Sequence, residues 1–492
     1  MSVSPSPTSP PVSSRLLRNA LEGAAAAVCA VVAMAAVAAI ALVVFDPQSV
    51  DSLWALIMAV TALAVGGSVN IGPDTMPAPP AAAAQGAGVP GGGSATLSLS
   101  GAVDVVPLAV TLLGAVVLWL TFSWGLRQRT LNGKELMARA LGATGAAVLG
   151  LMLAASLAHG SFKLPAVSQS GVGALGGKLG ELVEKLFGAS ALGASGGAAQ
   201  PAMSYDVAIG TTAVGALVWA VAVIAVGLLI SRRVPAGFTA GGLRPAWGPS
   251  LSALVRPLLG IAALMTVTGA VAVGDHKAAG GAMLLAPVAL VTALSVGLGS
   301  TWTSSSHQMQ SAAGAAAPGA GTSGGQRAAA APPNHTQHIG DLTMGGVPVW
   351  VVTLVVTALL LLACAFAAAR GTDPAQARPL HPYRGPLARQ IGLAERFGIV
   401  TAIVFGVLAV GVQTSFHTSV SMAGHAVGGS EIKVVGGVLW TFVAGLLAGA
   451  VAGFAGGLLQ GEGEKTRALR SRRSPVAVGA SPVPSGTAEP GA

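Results

Sequence analysis

The run LEGAAAAVCAVVAMAAVAAIALVVF, residues 21–45, carries no charged side chain after Glu22. About 20 apolar residues in a helix cross the roughly 30 Å hydrocarbon core of a bilayer. A secretory leader has an apolar stretch of only about 7–15 residues. The run therefore predicts a retained membrane helix. The segment before it, 1–20, is rich in Ser and Pro, carries Arg15 and Arg18, and reads as a cytoplasmic tail.

Nine more apolar segments follow, at about 52–69, 103–125, 137–158, 207–230, 254–274, 280–299, 347–369, 397–416 and 435–459. All ten read as helices, because a backbone in lipid must satisfy its own hydrogen bonds. A membrane barrel would show strands of about ten residues with alternating polarity, and no such alternation is sustained. Composition agrees. Only 9% of the 492 residues are Asp, Glu, Lys or Arg, against roughly 25% in soluble domains. The hydrophobic fraction is 53% and the mean hydropathy +0.72. The net charge of +9 lies mostly between apolar runs, which points to membrane topology and away from nucleic acid. Cys29 and Cys364 lie inside apolar runs, so no disulfide framework or zinc site is expected.

Two segments are weak spans. Segment 52–69 is short and ends in Gly66-Gly67-Ser68; segment 280–299 opens on Gly280-Gly281 and carries Pro287, a candidate kink. If both return to the side they entered from, 20 of the 26 Lys and Arg residues fall on the cytoplasmic side, against 16 if all ten segments cross. The positive-inside rule favours the first arrangement. The expected fold is thus an all-α polytopic bundle of about eight full spans plus two re-entrant or outer-leaflet helices, with both termini cytoplasmic.

That arrangement exposes a parallel internal repeat. Each half reads as span, short acidic turn, weak segment, long outer loop, span, basic inner loop, span, outer loop, span. The acidic turns are Asp46 to Asp51 and Asp275-His276-Lys277, and the spans after the long loops begin Val106-Pro107-Leu108 and Val347-Pro348-Val349. The first repeat is 21–233, with outer loops 72–102 and 159–206. The second is 234–460, with outer loops 301–346 and 417–434. A disordered cytoplasmic tail, 461–492, completes the chain. Pro77–Ser94 and Ser311–Pro333 are low-complexity and poor in apolar surface. Within 172–187, Leu175, Leu179, Leu182, Val183 and Leu186 share one helical face, which fits an amphipathic helix on the outer leaflet or on the protein's own surface.

Chemistry is sparse. No ionisable residue lies near the middle of a segment; Glu22, Asp104, Asp206, His159 and His417 are all near ends. Buried charge marks most proton-coupled pumps, so that class is disfavoured. Asp104 and Asp341 precede Pro107 and Pro348 at matching places. They are candidate outer-entrance acids, or simply acids at helix N-termini, where the dipole favours them. Asn334-His335-Thr336-Gln337-His338 lacks a third metal ligand and reads as a polar loop. Gly445, Gly449 and Gly453 form a strip for close helix packing, within one subunit or in a dimer. Trp54, Trp124, Trp302 and Trp350 fit interfacial positions. The five arginines of 370–396 set topology or bind anionic lipid. No phosphate loop, dinucleotide fingerprint or hydrolase motif is present, so no catalytic residue, cofactor or metal is expected.

The stretches Val105-Val106-Pro107-Leu108-Ala109-Val110-Thr111-Leu112-Leu113-Gly114 and Gly280-Gly281-Ala282-Met283-Leu284-Leu285-Ala286-Pro287 resemble the streptophobe family, very hydrophobic multi-spanning proteins of Streptomyces and related actinomycetes. The resemblance covers the layout of nearly the whole chain. It implies a plasma-membrane location in such a host and carries no activity or functional residue. Two functions stay open: a transporter or permease for an unknown solute, or a structural or interaction protein of the cell envelope.

Overall fold

The computed structural model describes residues 12–45, 52–73, 97–128, 132–163, 202–231, 243–272, 276–310, 335–338, 343–344, 346–372, 387–422 and 425–473. Ten helices stand among them: α1 (Val12–Phe45), α2 (Leu53–Leu63), α3 (Leu108–Gln128), α4 (Gly133–Leu157), α5 (Ile209–Ile230), α6 (Leu243–Ala272), α7 (His276–Gly297), α8 (Val349–Gly371), α9 (Ala388–Val412) and α10 (Val438–Arg473). Nine are long and apolar enough to cross a membrane; α2, with 11 residues, is not. The protein is a multi-pass helical membrane protein. At the ends of the chain the helices outrun the apolar segments. α1 begins within the expected tail, and α10 continues to Arg473 within the expected disordered one. A helix leaving lipid for water need not stop there, because its polar residues still favour helix.

A sheet stands where the sequence predicts only outer loops. Ten strands occur among the described residues: β1 (Val69–Pro73), β2 (Leu97–Asp104), β3 (His159–Lys163), β4 (Ala202–Val207), β5 (Trp302–Gln310), β6 (His335–His338), β7 (Thr343–Met344), β8 (Val347–Pro348), β9 (Thr414–Met422) and β10 (His425–Gly436). Eight form one antiparallel sheet in the order β3-β4-β1-β2-β9-β10-β5-β6, and β7 pairs only with β8. The polar loop at His335–His338 is thus an edge strand. Single residues join four spans to their strands: Ala158, Ala208, Gln413 and Gly437.

Connectivity fixes which helices cross. The far ends of α5, α6 and α8 lie together, with Gly248 against the Leu229 carbonyl and Gly371 against Pro249. From there the 30 residues of α6 rise about 45 Å, enough to reach the sheet side. α7 then starts on the sheet side and ends in β5, so it returns there despite its length. α2 lies between α1, which ends on the sheet side, and β1, so it returns too. Eight helices thus run from one side of the bundle to the other, α2 and α7 return to the sheet side, and the N-terminal end of α1 and the C-terminal end of α10 lie away from the sheet.

Packing relies on small residues, because lipid offers helices no hydrophobic drive to associate and close contact must supply it. A Cβ at Gly23 would overlap the Arg139 carbonyl, and one at Gly142 the Ala20 carbonyl, so α1 and α4 run backbone against backbone. Ala26, Ala27, Ala30, Ala143 and Ala147 continue that core with Leu118 and Phe122. A second core gathers Leu254, Leu361, Phe397 and Phe405 from α6, α8 and α9.

Candidate functional site

The two returning helices end in the same way. Each closes with a left-handed glycine, Gly66 at φ 90° and Gly299 at φ 87°. Gly66 N–H donates to Leu63 O (2.9 Å) and Gly67 N–H to Ala62 O (3.1 Å); Gly299 N–H donates to Val296 O (2.8 Å) and Ser300 N–H to Ser295 O (3.0 Å). This is the Schellman pattern, and a side chain at φ near 90° would be strained. The chain then leaves as β1 or β5. Ala208 N–H donates to Ser68 O (3.0 Å), and Gly437 N–H to Thr301 O (3.3 Å).

Each turn is wedged against the first turn of the last helix of its half. Thr212 Oγ1 donates to Ala208 O (2.9 Å), and Thr441 Oγ1 to Gly437 O (3.0 Å). A Cβ at Gly67 would lie 2.6 Å from Thr212 Oγ1. In the second half Ser300 fills that place, its Oγ 2.6 Å from Thr441 Oγ1. The first turn is clamped further: Thr111 Oγ1 donates to Ala64 O (2.5 Å), and a Cβ on Gly215 would overlap the Val65 carbonyl. The Ala62, Leu63 and Ala64 carbonyls of this turn therefore accept hydrogen bonds within the protein.

Above the turns the sheet has two unlike faces. Directly opposed residues of antiparallel strands share a face. His159, Asp206, Asn70, Ala102, His417 and Glu431 form one row across six adjacent strands. Asn70, Asp206 and His159 are exposed, and Lys433 on the same face pairs with Glu431. The opposite face carries Val207, Val69, Val103, Phe416 and Ile432, again in register. Ala55, Ala59 and Ala62 of α2 pack on Val69, Tyr205 and Val207 of that apolar face. Burial there pushes the Tyr205 phenol above its ordinary range. Trp302 is fully buried, where an interfacial position was expected. It faces Gly436, whose missing side chain leaves room for the indole.

The sequence-predicted residues are dispersed. Asp104 is exposed at the end of β2 and accepts from Ser415 Oγ at 3.2 Å, across strands β2 and β9. Asp341 lies outside the described residues, as do 172–187, Pro77–Ser94 and Ser311–Pro333. Pro287 lies inside an unbroken α7, and the chain reverses at Gly299, downstream of it. The glycine strip of α10 meets α9 of the same chain: Cβ atoms at Gly445, Gly449 and Gly453 would lie 3.3 Å from Ala402 Cα, 2.7 Å from Thr401 Cβ and 2.9 Å from Leu393 O.

One cluster escaped sequence reasoning. Arg139 of α4, 3% exposed, donates to Glu22 Oε2 at 3.1 Å, and Arg18 binds Glu22 Oε1 at 3.3 Å. The guanidinium lies 5.2 Å from the centre of the Phe122 ring and rests on Gly125, where any Cβ would overlap it. The pair ties α1 to α4 near the ends remote from the sheet. Glu22 is visible in the sequence, but its partner is 117 residues away. Among the described residues no group of three His, Cys, Asp or Glu could hold a metal.

Comparison with known proteins yields no match: no family model fits the chain, and neither curated proteins nor solved structures show significant similarity.

Proposed function

We propose that the protein is a membrane-anchored interaction platform of the cell envelope, displaying a sheet on the outer side of the plasma membrane. The observation that supports this reading is the single eight-stranded sheet, to which all the sheet-side connections between spans contribute. Its ionisable face points away from the apolar core, which suits a polar partner. Outward orientation of the sheet, with both termini in the cytoplasm, follows from the basic residues of the opposite side. The resemblance to the streptophobe family adds an actinomycete host, and the reading assigns no reaction. On the cytoplasmic side, the exposed Arg370 is placed to meet anionic headgroups, whereas Arg396 is buried.

A photo-crosslinking residue placed at Asn70 or Ser100 in cells tests the platform. Both positions are exposed on the sheet. The same probe at Leu264 on α6, 61% exposed, is the lipid-facing control. A discrete adduct from the sheet that Asp206→Lys with Glu431→Lys abolishes supports the reading. Identical products from sheet and control overturn it. The second reading, a permease, is favoured by the paired return helices, since such helices build substrate sites in transporters. Solute flux in liposomes that Gly299→Val abolishes, with the protein still folded, would establish it instead.

A further inference from the structure

Each half contributes four strands, and their order is the same. First comes the strand leaving the fourth helix (β3, β9), then the strand entering the fifth (β4, β10). The strand leaving the return helix follows (β1, β5), and then the strand of the long loop before the third helix (β2, β6). The registers agree too. Val69 opposes Val207 where β1 meets β4, and Trp302 opposes Gly436 where β5 meets β10. Two such units set around an axis along the membrane normal form the joint between last and first strands twice.

One of these joints is made. β2 pairs with β9 from Leu97–Met422 to Asp104–Ser415. The other would join β6 to β3, which are the two edges of the sheet. Their directions are suited, because every neighbouring pair in the sheet is antiparallel and β6 and β3 run opposite ways. Eight strands is also the number that closes a small barrel.

The return helices explain why one joint is fixed. α7 crosses into the first half, packing on α1 and α3. Beneath β2 and β9 its Val291 and Val296 form a core with Leu108, Ala409 and Val412. α2, its counterpart, has 11 residues against 22, and its principal partners are α1, α4, β3 and β4 of its own half.

We propose that β3 and β6 pair with each other to close the sheet into an eight-stranded barrel, and that this joint, without a helix like α7 beneath it, is a lateral gate that opens and closes. The β2–β9 register predicts the contact. Ala102 and His338 hold matching places, opposite Asn70 and Thr303. Ser415-Phe416-His417 matches Ser161-Phe162-Lys163. The Ala102–His417 pair therefore becomes His338–Lys163.

The test uses full-length protein in native membranes with Cys29 and Cys364 replaced by serine. Paired cysteines at His338 and Lys163 are oxidised mildly, beside a control pair at Ser100 and Ser419, whose hydroxyl oxygens lie 2.7 Å apart. Disulfides need Cα atoms about 4.4–6.8 Å apart, which opposed strand residues satisfy. The expected result is an intramolecular crosslink slower and less complete than the control. Hydrogen exchange on the unmodified protein, which needs no substitution, should find β3 and β6 amides protected, but less than those of β2 and β9. Three results overturn the proposal. One is control crosslinking with none between β3 and β6. Another is a crosslink only between two copies. The third is edge-strand exchange either unprotected or as slow as in β2 and β9.

Discussion

Replacing Gly215 by alanine probes the clamp on the first return turn. The new Cβ would overlap the Val65 carbonyl oxygen, whereas a carbon–oxygen contact needs about 3.3 Å. The turn must therefore shift by more than an ångström. Overpacking of this kind costs about 1–3 kcal/mol. The shift also stretches the Thr111–Ala64 hydrogen bond, worth about 1 kcal/mol. Against this, alanine favours helix over glycine by at most about 1 kcal/mol. The net loss is about 1–3 kcal/mol, or a melting temperature lower by about 1–3 °C for a chain of this length. Thermal unfolding in detergent, followed by loss of the monodisperse peak, measures it. Gly145→Ala and Gly260→Ala are the controls, since a Cβ at either position meets nothing within 4 Å. These should leave the melting temperature unchanged or raise it. A Gly215→Ala protein as stable as the controls would refute the wedged turn.

Arg139→Ala should destabilise by about 1–3 kcal/mol, through the lost charged hydrogen bond and the lost packing on Phe122, while Glu22 keeps Arg18 and part of its solvent; Arg139→Leu with Glu22→Leu should recover much of that in the same melting assay. Ser300→Ala should cost about 1 kcal/mol by removing its contact with Thr441, while Ser68→Ala, whose hydroxyl is exposed, should cost less. Cysteines at Ser100 and His338 should label from one side of the membrane and one at Lys134 only from the other; labelling of Ser100 and Lys134 from the same side would break the eight-crossing topology.

The helices are legible in the sequence because lipid sets a length that apolar runs must meet. The return of 52–69 can be read from its shortness and its Gly66-Gly67 ending. That of α7 cannot be read from length, since its 22 residues would suffice to cross; Gly280-Gly281 and Pro287 mark it as weak, and the distribution of arginines and lysines favours its return. The sheet was hidden by its non-local pairing: Ser100 meets Ser419, 319 residues on. A local signal existed. Leu97-Ser98-Leu99-Ser100 and Phe416-His417-Thr418-Ser419-Val420-Ser421-Met422 alternate with a period of two, but they adjoin low-complexity sequence and are short beside the spans. Trp302 was misplaced for a related reason. An indole at a segment end reads as an interfacial anchor unless the glycine opposite it is known. The Arg139–Glu22 pair was missed because each residue alone is an unremarkable charge near a helix end.

The single-residue joints between spans and strands carry a mechanical consequence. β10 has 12 residues, about 40 Å of extended chain rising from α10. Gly437, the joint, is tied by backbone hydrogen bonds to Thr301 and Thr441. A membrane helix adapts to a thicker or thinner bilayer by tilting. A tilt of α10 by about 10° would sweep the far tip of β10 through about 7 Å. With eight strands laced together, bilayer strain becomes a change in the sheet's curvature, felt tens of ångströms from the lipid that caused it.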